Sequence, residues 1–247
     1  MYFSGQGKML VAVATNGVPG AFRDVGNVPE LTLALETTTL EHKESRSGQR
    51  LTDLRLITEK KGSLTAALED FMTDNLALGL YGSKAVVAAS TVTGEALPDA
   101  LVAGDLVRLA QPNVSSVVVE DSAGVPVALT EGTHYEIVSA DHGTLRILDP
   151  AAFTQPFTVD YSYGGHANVG MFTAAPPELW VRFEGLNTAD SNKPVLIELY
   201  KVLFDPLGNL GLISDELARI DLSGSVLYDP TKENDATLGQ FGRIVQI

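Results

Sequence analysis

The side chains whose types could do chemistry are few. His134 with Glu136, and Asp141 with His142, place two imidazoles and two carboxylates near one predicted hairpin, the donor types a borderline metal ion takes. The other histidines, His42 and His166, fall on separate predicted elements, and no HExxH pair or repeated ligand spacing occurs. They read as ordinary strand or surface histidines, and no metal site is expected. The acid pairs Glu41/Glu44 and Asp215/Glu216 sit in polar stretches, where solvated surface is the simpler reading than an acid–base dyad. Gly5-Gln6-Gly7-Lys8 and Gly79-Leu80-Tyr81-Gly82-Ser83-Lys84 lack the spacing of a phosphate loop, and no GxSxG elbow is present. The expectation is no cofactor and no enzymatic activity. An all-β glycan hydrolase, which assembles its acids from distant strands, is the enzyme class left open.

The elements that would position these residues are strands. At 247 residues with 45% apolar side chains, the chain can form one large all-β domain or two smaller ones. It has no cysteine, which excludes disulfides and thiolate ligands and fits a reducing compartment. The start, MYFSGQGKMLVAVA, has no basic region ahead of a sufficient apolar run, so no signal peptide is expected, and no apolar stretch is long enough to span a bilayer. A net charge of −14 argues against affinity for nucleic acid. It is compatible with an acidic wall that DNA slides past, and equally with simple solubility.

Strands are predicted at Lys8–Thr15, Glu30–Glu36, Leu54–Lys60, Ser63–Glu69, Ser83–Thr93, Glu178–Leu186, Val195–Phe204 and Leu217–Leu227. One short helix is predicted within Glu69–Gly82, capped by Asp70 or Thr73, with Leu76, Leu80 and Phe71 inward and Gly82 left-handed at its end. Between Asp105 and Gly165, short strands alternate with turn signals: Val114–Glu120, Val125–Leu129, His134–Val138, Thr144–Leu148 and Phe157–Tyr163. This divides the chain into a discontinuous β core, residues 1–94 and 166–247, and a small inserted or outward-facing antiparallel region, 95–165. The fold class expected is mainly β, an antiparallel sandwich or half-barrel with one short helix, a long protruding loop and flexible terminal arms. Tyr2 and Phe3 ahead of Gly5 could anchor an arm on a neighbouring subunit or fold back on their own domain. The apolar tail LGQFGRIVQI, containing Phe241 and Ile244, is expected to be tied down by pairing, within its subunit or on the next.

The organising stretch is Glu36 to Gly62. Its first half, Glu36–Arg50, is polar and carries a single apolar side chain, Leu40, so it reads as a long loop between neighbouring strands. Six basic residues (Lys43, Arg46, Arg50, Arg55, Lys60, Lys61) stand there against five acids (Glu36, Glu41, Glu44, Asp53, Glu59), out of 17 and 31 in the chain, which leaves 11 and 26 elsewhere. A near-neutral segment on an acidic molecule suits docking onto another copy. A solvated flexible hairpin is the other reading.

The run LALETTTLEHKESRSGQRLTDLRLITEKKGSLTAALEDF, with the opening YFSGQGKMLVA and the following NLALGLYG, resembles the major tail tube protein of long non-contractile bacteriophage tails. The likeness is clearest over residues 2–82 and weaker from Gly104 to Gly165 and from Trp180 to Asp229. It implies a structural virion protein assembled in the host cytoplasm, whose hexameric rings stack into a hollow tube through which the genome leaves. The partners implied are further copies of the chain, the tape measure protein, the tail tip and the tail terminator, with DNA passing without specific binding and no membrane. On that reading Glu41, His42, Lys43, Glu44, Arg46 and Arg50 reach adjacent subunits or the next ring, and Tyr2, Phe3, Phe241 and Ile244 make terminal-arm contacts. Thr32, Glu36, Thr65 and Glu69 become candidates for the lumen, with Leu31, Leu33 and Leu35 packed under the helix. The competing classes are a β-sandwich module that binds a host surface or glycan, and the inner tube of a contractile tail or related secretion machine. Tyr161, Tyr163 and Trp180 are too scattered for an aromatic groove and read as core.

Overall fold

Period-two alternation, punctuated by Gly, Asn and Asp turns, gives a mainly β chain of antiparallel sheets with one α-helix among the described residues. The computed structural model describes all residues except 1, 216, 234 and 236. In chain order it contains β1 (Gly5–Thr15), β2 (Val18–Pro19), β3 (Arg23–Asp24), β4 (Glu30–Lys43), β5 (Thr52–Leu68) and α1 (Thr73–Gly79). Next come β6 (Lys84–Val87), β7 (Ser90–Ala96), β8 (Leu106–Arg108), β9 (Val114–Glu120), β10 (Tyr135–Ser139), β11 (Thr144–Ile147), β12 (Thr158–Tyr163) and β13 (His166–Val169). The last are β14 (Leu179–Asn187), β15 (Lys193–Phe204), β16 (Ile220–Val226), a 3-10 turn (Pro230–Lys232) and β17 (Gly242–Gln246). The chain divides into two units, residues 1–84 with 169–247, and residues 85–168. A boundary after residue 94 cuts through β7, which pairs along β12 and so belongs to the second unit.

In the first unit a nine-stranded open sheet runs β2-β1-β14-β15-β16-β5-β4, with β3 added on β1 and β17 on β15. β16 shows why one face packs: Ile220, Leu222 and Val226 are buried while Asp221, Ser223 and Ser225 point to the other side. Met9, Val11, Leu64, Leu68, Val181 and Leu222 form the core with Leu78 of α1. At about 1.5–3 kcal/mol per fully buried aliphatic side chain, this cluster is the principal stabiliser of the unit. The β15 strand pairs with β14 on one side, while β16 and β17 share its other side at Val202–Phe204 and Val195–Leu199.

The helix differs from expectation at both ends. Met72 is its N-cap and no side chain caps it; Asp70 instead accepts from the Asn27 backbone N–H (3.0 Å). Of the residues expected inward, Leu76 packs on the core and Leu80 is half-buried, whereas Phe71 is exposed; the buried positions are Asn75, Leu78 and Gly79. Asn75 is fully buried because Nδ2 donates to the carbonyls of Val25 (2.8 Å) and Asp70 (2.9 Å), and Oδ1 accepts from Arg23 (2.6 Å). At the C-terminus Tyr81 takes the left-handed conformation (φ 50°), and the Gly82 N–H reaches back to the Ala77 carbonyl (2.8 Å). Gly82 is needed for space, since a Cβ there would lie 2.3 Å from the Gly170 carbonyl oxygen.

Neither terminus is a free arm. Asn187 accepts from the Ser4 N–H (2.9 Å) and donates to the Tyr2 carbonyl (3.0 Å), so residues 2–4 are held against β14 of the same chain. β17 completes the edge of β15 that the short β16 leaves open. The expected flexibility gives way to pairing because unpaired edge groups are satisfied locally.

The second unit is a small sandwich. Sheets β10-β11-β8 and β7-β12-β9 share a core of Val119, Tyr135, Leu145, Ile147, Val159 and Tyr161. The strand expected at Val125–Leu129 does not form beyond one bridge, Ala128 to Glu120. The buried Asp121 carboxylate claims the Val127 N–H (2.7 Å) and bends the chain. β8, unforeseen because it is only three residues long, completes the first sheet. β6 and β13 pair as a separate two-stranded ribbon.

Candidate functional site

The predicted loop is a ladder. β4 and β5 stay paired out to Lys43 and Thr52, and β5 runs unbroken through Lys61 and Gly62, so only residues 44–51 form the turn. The β-branched run Thr37–Thr39 sustains the pairing that a polar composition concealed. β16 ends opposite Gly62, so beyond Leu35 and Gly62 the two strands continue with no further partner. Every residue from Thr52 to Lys61 is exposed. At about 3.4 Å per residue, this ribbon projects roughly 30 Å.

Register sorts its side chains. One face carries the pairs Glu36–Lys61, Thr38–Glu59, Leu40–Leu56 and His42–Leu54; the other carries Thr37–Lys60, Thr39–Ile57 and Glu41–Arg55. A bulge at Thr58, whose hydroxyl donates to the Thr38 carbonyl (3.1 Å), absorbs the extra residue on β5. Leu40, Leu54 and Leu56 therefore form a contiguous apolar triad, 58%, 49% and 48% exposed. At the tip Glu44 accepts from the Ser47 hydroxyl and from the N–H groups of Arg46 (2.6 Å) and Ser47 (2.9 Å), which hold its carboxyl below the usual carboxylate range. Gly48 and Arg50, both with positive φ, close the turn. His42 Nδ1 lies 2.6 Å from Asp53 Oδ1.

The six residues singled out in the sequence thus gather at the outer end, with Glu41, His42 and Lys43 on β4 and Glu44, Arg46 and Arg50 in the turn. The leucine triad was hidden: its signal is Leu40 opposite Leu-Arg-Leu, visible only once 37–43 is read as strand. Leu35, expected under the helix, is 71% exposed because β16 stops at the pair opposite, whereas Leu31 and Leu33 pack against the core.

Thr32 lies directly across from Thr65, which lies across from Ser223, making a row of small hydroxyls on the face away from the core. Glu36 shares that face beyond the sheet. Glu69 lies past the end of β5, its carboxylate bonded to Asn27 Nδ2 (2.6 Å) and 3.6 Å from Arg219. On the opposite face a groove of about 310 Å³ opens among Phe3, Leu31, Leu33, Leu64, Phe183 and Ile197. Phe3 forms its lip, Tyr2 is 87% exposed, Phe241 packs on the core, and Ile244 lies exposed on β17.

The histidine and acid candidates are engaged locally. His134 Nδ1 accepts from the Thr130 N–H (2.9 Å) and its ring stacks edge-on to Phe153; Glu136 pairs with Arg146 (2.6 Å); His142 bonds Ser139 (2.7 Å). Asp141 offers its carbonyl to the Asn113 N–H (3.0 Å), and His166 stacks near Tyr163. Of the pair Asp215/Glu216, the second lies outside the described residues. Among the described residues no group of three or more His, Cys, Asp or Glu is arranged to hold a metal, and no helix is long and apolar enough to cross a membrane.

The sequence also gave no warning of Glu198, buried on the outer face of the sheet between Arg182 (3.0 Å) and Arg243 (2.7 Å). Beside it Trp180 stacks on Tyr200 under the Lys232 ammonium. Tyr161 is buried in the second unit, where burial and its bond to Glu95 push the phenol up to about 12.

Open-edged sheet, apolar groove and projecting ribbon define a two-unit antiparallel β protein whose most distinctive surface is a two-stranded extension. A model of the family described as protein of unknown function UCP028589 matches residues 2–245, and the chain belongs to that family. No curated protein matches the chain.

Proposed function

We propose that this chain is the structural subunit of a phage tail tube, forming hexameric rings that stack into a hollow conduit for the genome. One observation carries the reading. A ribbon roughly 30 Å long, with exposed leucines and mixed charge, leaves the sheet of an otherwise acidic molecule. Isolated two-stranded ribbons are marginal in water, and exposed apolar strands with open edges are either a hazard or an interface. A second copy meets its needs, offering acidic surface to its arginines and lysines. Association that closes by rotation gives rings. The hydroxyl row Thr32, Thr65 and Ser223 supplies a smooth, uncharged strip that suits a lumen, and the acidic chain as a whole repels a phosphate backbone. Tape measure, tail tip and tail terminator are the further partners of this reading, and the virion tail is its location.

Negative-stain microscopy with sedimentation of the concentrated protein, alone and with tail-tip complexes, tests it. Rings or hollow rods are expected, and Arg46→Glu with Arg50→Glu gives a folded monomer that builds none. A chain that stays monomeric under both conditions sinks the proposal; normal tubes from the double variant remove the turn from the interface.

A further inference from the structure

The leucine triad and the apolar groove lie on opposite faces of the same subunit. Leu33 in the groove and Leu40 in the triad are on one strand, seven residues apart by number and of opposite parity, hence roughly 23 Å apart and facing away from each other. The ladder between β4 and β5 holds that separation, so the ribbon cannot fold its leucines into its own groove. Both surfaces therefore remain open within one chain. Leu31, Leu33, Phe183 and Ile197 are only partly buried in the groove, and its volume is at the small end of the ligand-sized range of about 300–1,000 Å³. That is room for a few aliphatic side chains projecting from a strand.

We propose that the groove bounded by Phe3, Leu31, Leu33, Phe183 and Ile197 seats Leu40, Leu54 and Leu56 of a second copy's ribbon. Charge identifies the occupant: the segment 36–62 carries six basic and five acidic residues, whereas the remainder carries 11 and 26, so the ribbon is the part of this chain that another copy attracts. Shape agrees, because the triad is contiguous and flanked by polar pairs, Thr38–Glu59 on one side and the His42–Asp53 contact on the other, giving an apolar centre with a polar rim. Phe3, held at the lip through the Ser4 and Tyr2 bonds to Asn187, closes over the incoming side chains. The inference rests on the self-assembly reading and adds to it the receiving surface.

The absence of cysteine from the chain makes the contact directly testable. Single variants Leu56→Cys and Ile197→Cys are mixed and oxidised; Leu56→Cys with Phe183→Cys is a second pair, and Leu56→Cys with Val127→Cys the control. Disulfide-linked dimers are expected from the first two mixtures only. Replacing Leu54 by Ser in the Leu56→Cys chain weakens association roughly 10- to 100-fold, the effect of exposing one buried leucine. Rings or tubes whose subunits do not cross-link at either groove position, or that cross-link as readily to the control, overturn the groove while the tube reading stands. No association and no cross-link, with or without tail-tip complexes, overturns both.

Discussion

Glu198 is the residue whose replacement most directly tests the account of the first unit. It is 5% exposed and directly opposite Arg182 on β14 and Arg243 on β17, so one carboxylate ties three strands together on the face away from the core. Oε1 accepts from Arg182 (3.0 Å) and Oε2 from Arg243 (2.7 Å). Glu198→Ala removes two charge-assisted hydrogen bonds, which at about 1.5–3 kcal/mol each bound the loss near ~5 kcal/mol. The arginine side chains are 32% and 38% exposed and rehydrate when released, so the loss falls to about 2–3 kcal/mol. For a unit of this size that corresponds to a melting shift of about 5–10 °C. β17 is the shortest of the three strands and borders only β15, so it opens first. Hydrogen exchange read by mass spectrometry should show residues 242–246 losing protection before β14 does. Glu198→Gln, which keeps an acceptor without the charge, should fall between wild type and Ala. A melting change below about 1 °C, with exchange at 242–246 unaltered, would refute the claim that the carboxylate anchors the last strand.

Asn75→Ala leaves the buried Val25 carbonyl, the partly buried Asp70 carbonyl and the half-buried Arg23 without this partner and should cost about 2–3 kcal/mol in urea unfolding; a loss under 0.5 kcal/mol contradicts this. Gly7→Ala places a Cβ 2.3 Å from the Glu184 carbonyl oxygen, so β1 and β14 must separate and stability should drop by about 1–3 kcal/mol, measured the same way. Asp121 in the second unit is held below the ordinary carboxylate value by N–H groups of Val127, Thr154 and Ala123. A depressed folded value means its contribution is complete above the unfolded value and fades as pH falls through the folded one. Acid should therefore destabilise the second unit below about pH 4, and Asp121→Ala should flatten that dependence in circular dichroism melts taken between neutral and acid pH.

Alternation made much of the sheet legible: Val114–Glu120 forms as read, and Val195–Phe204 and Thr144–Leu148 differ only at their ends. What failed did so where a single side chain or a neighbour's end decides the outcome. Asp121 takes a backbone donor and unmakes a strand at Val125–Leu129. β16 stops opposite Gly62 and turns Leu35 from core to surface. Tyr81, not the glycine after it, takes the left-handed turn because Gly82 is needed where the Gly170 backbone crosses. At the candidate site, the charged residues were visible from composition, but the leucine triad depended on a register that emerges only from pairing. Glu198 was invisible because nothing in VLIELYKVLF distinguishes an acid facing solvent from one clasped between two arginines on neighbouring strands.

The division of the sheet also sets a timetable. β1 needs β14 and β5 needs β16, and in both cases the whole of residues 85–168 is made in between. On the ribosome the small sandwich can finish while the larger sheet is still two unjoined fragments. Even after β15 emerges, the stretch Val195–Leu199 has no second neighbour until β17 arrives. At roughly 5–20 residues per second that interval lasts seconds. During it a nascent chain presents a bare strand to any other nascent chain on the same message, so the arrival of β17 also decides when one chain stops being able to tangle with its neighbour.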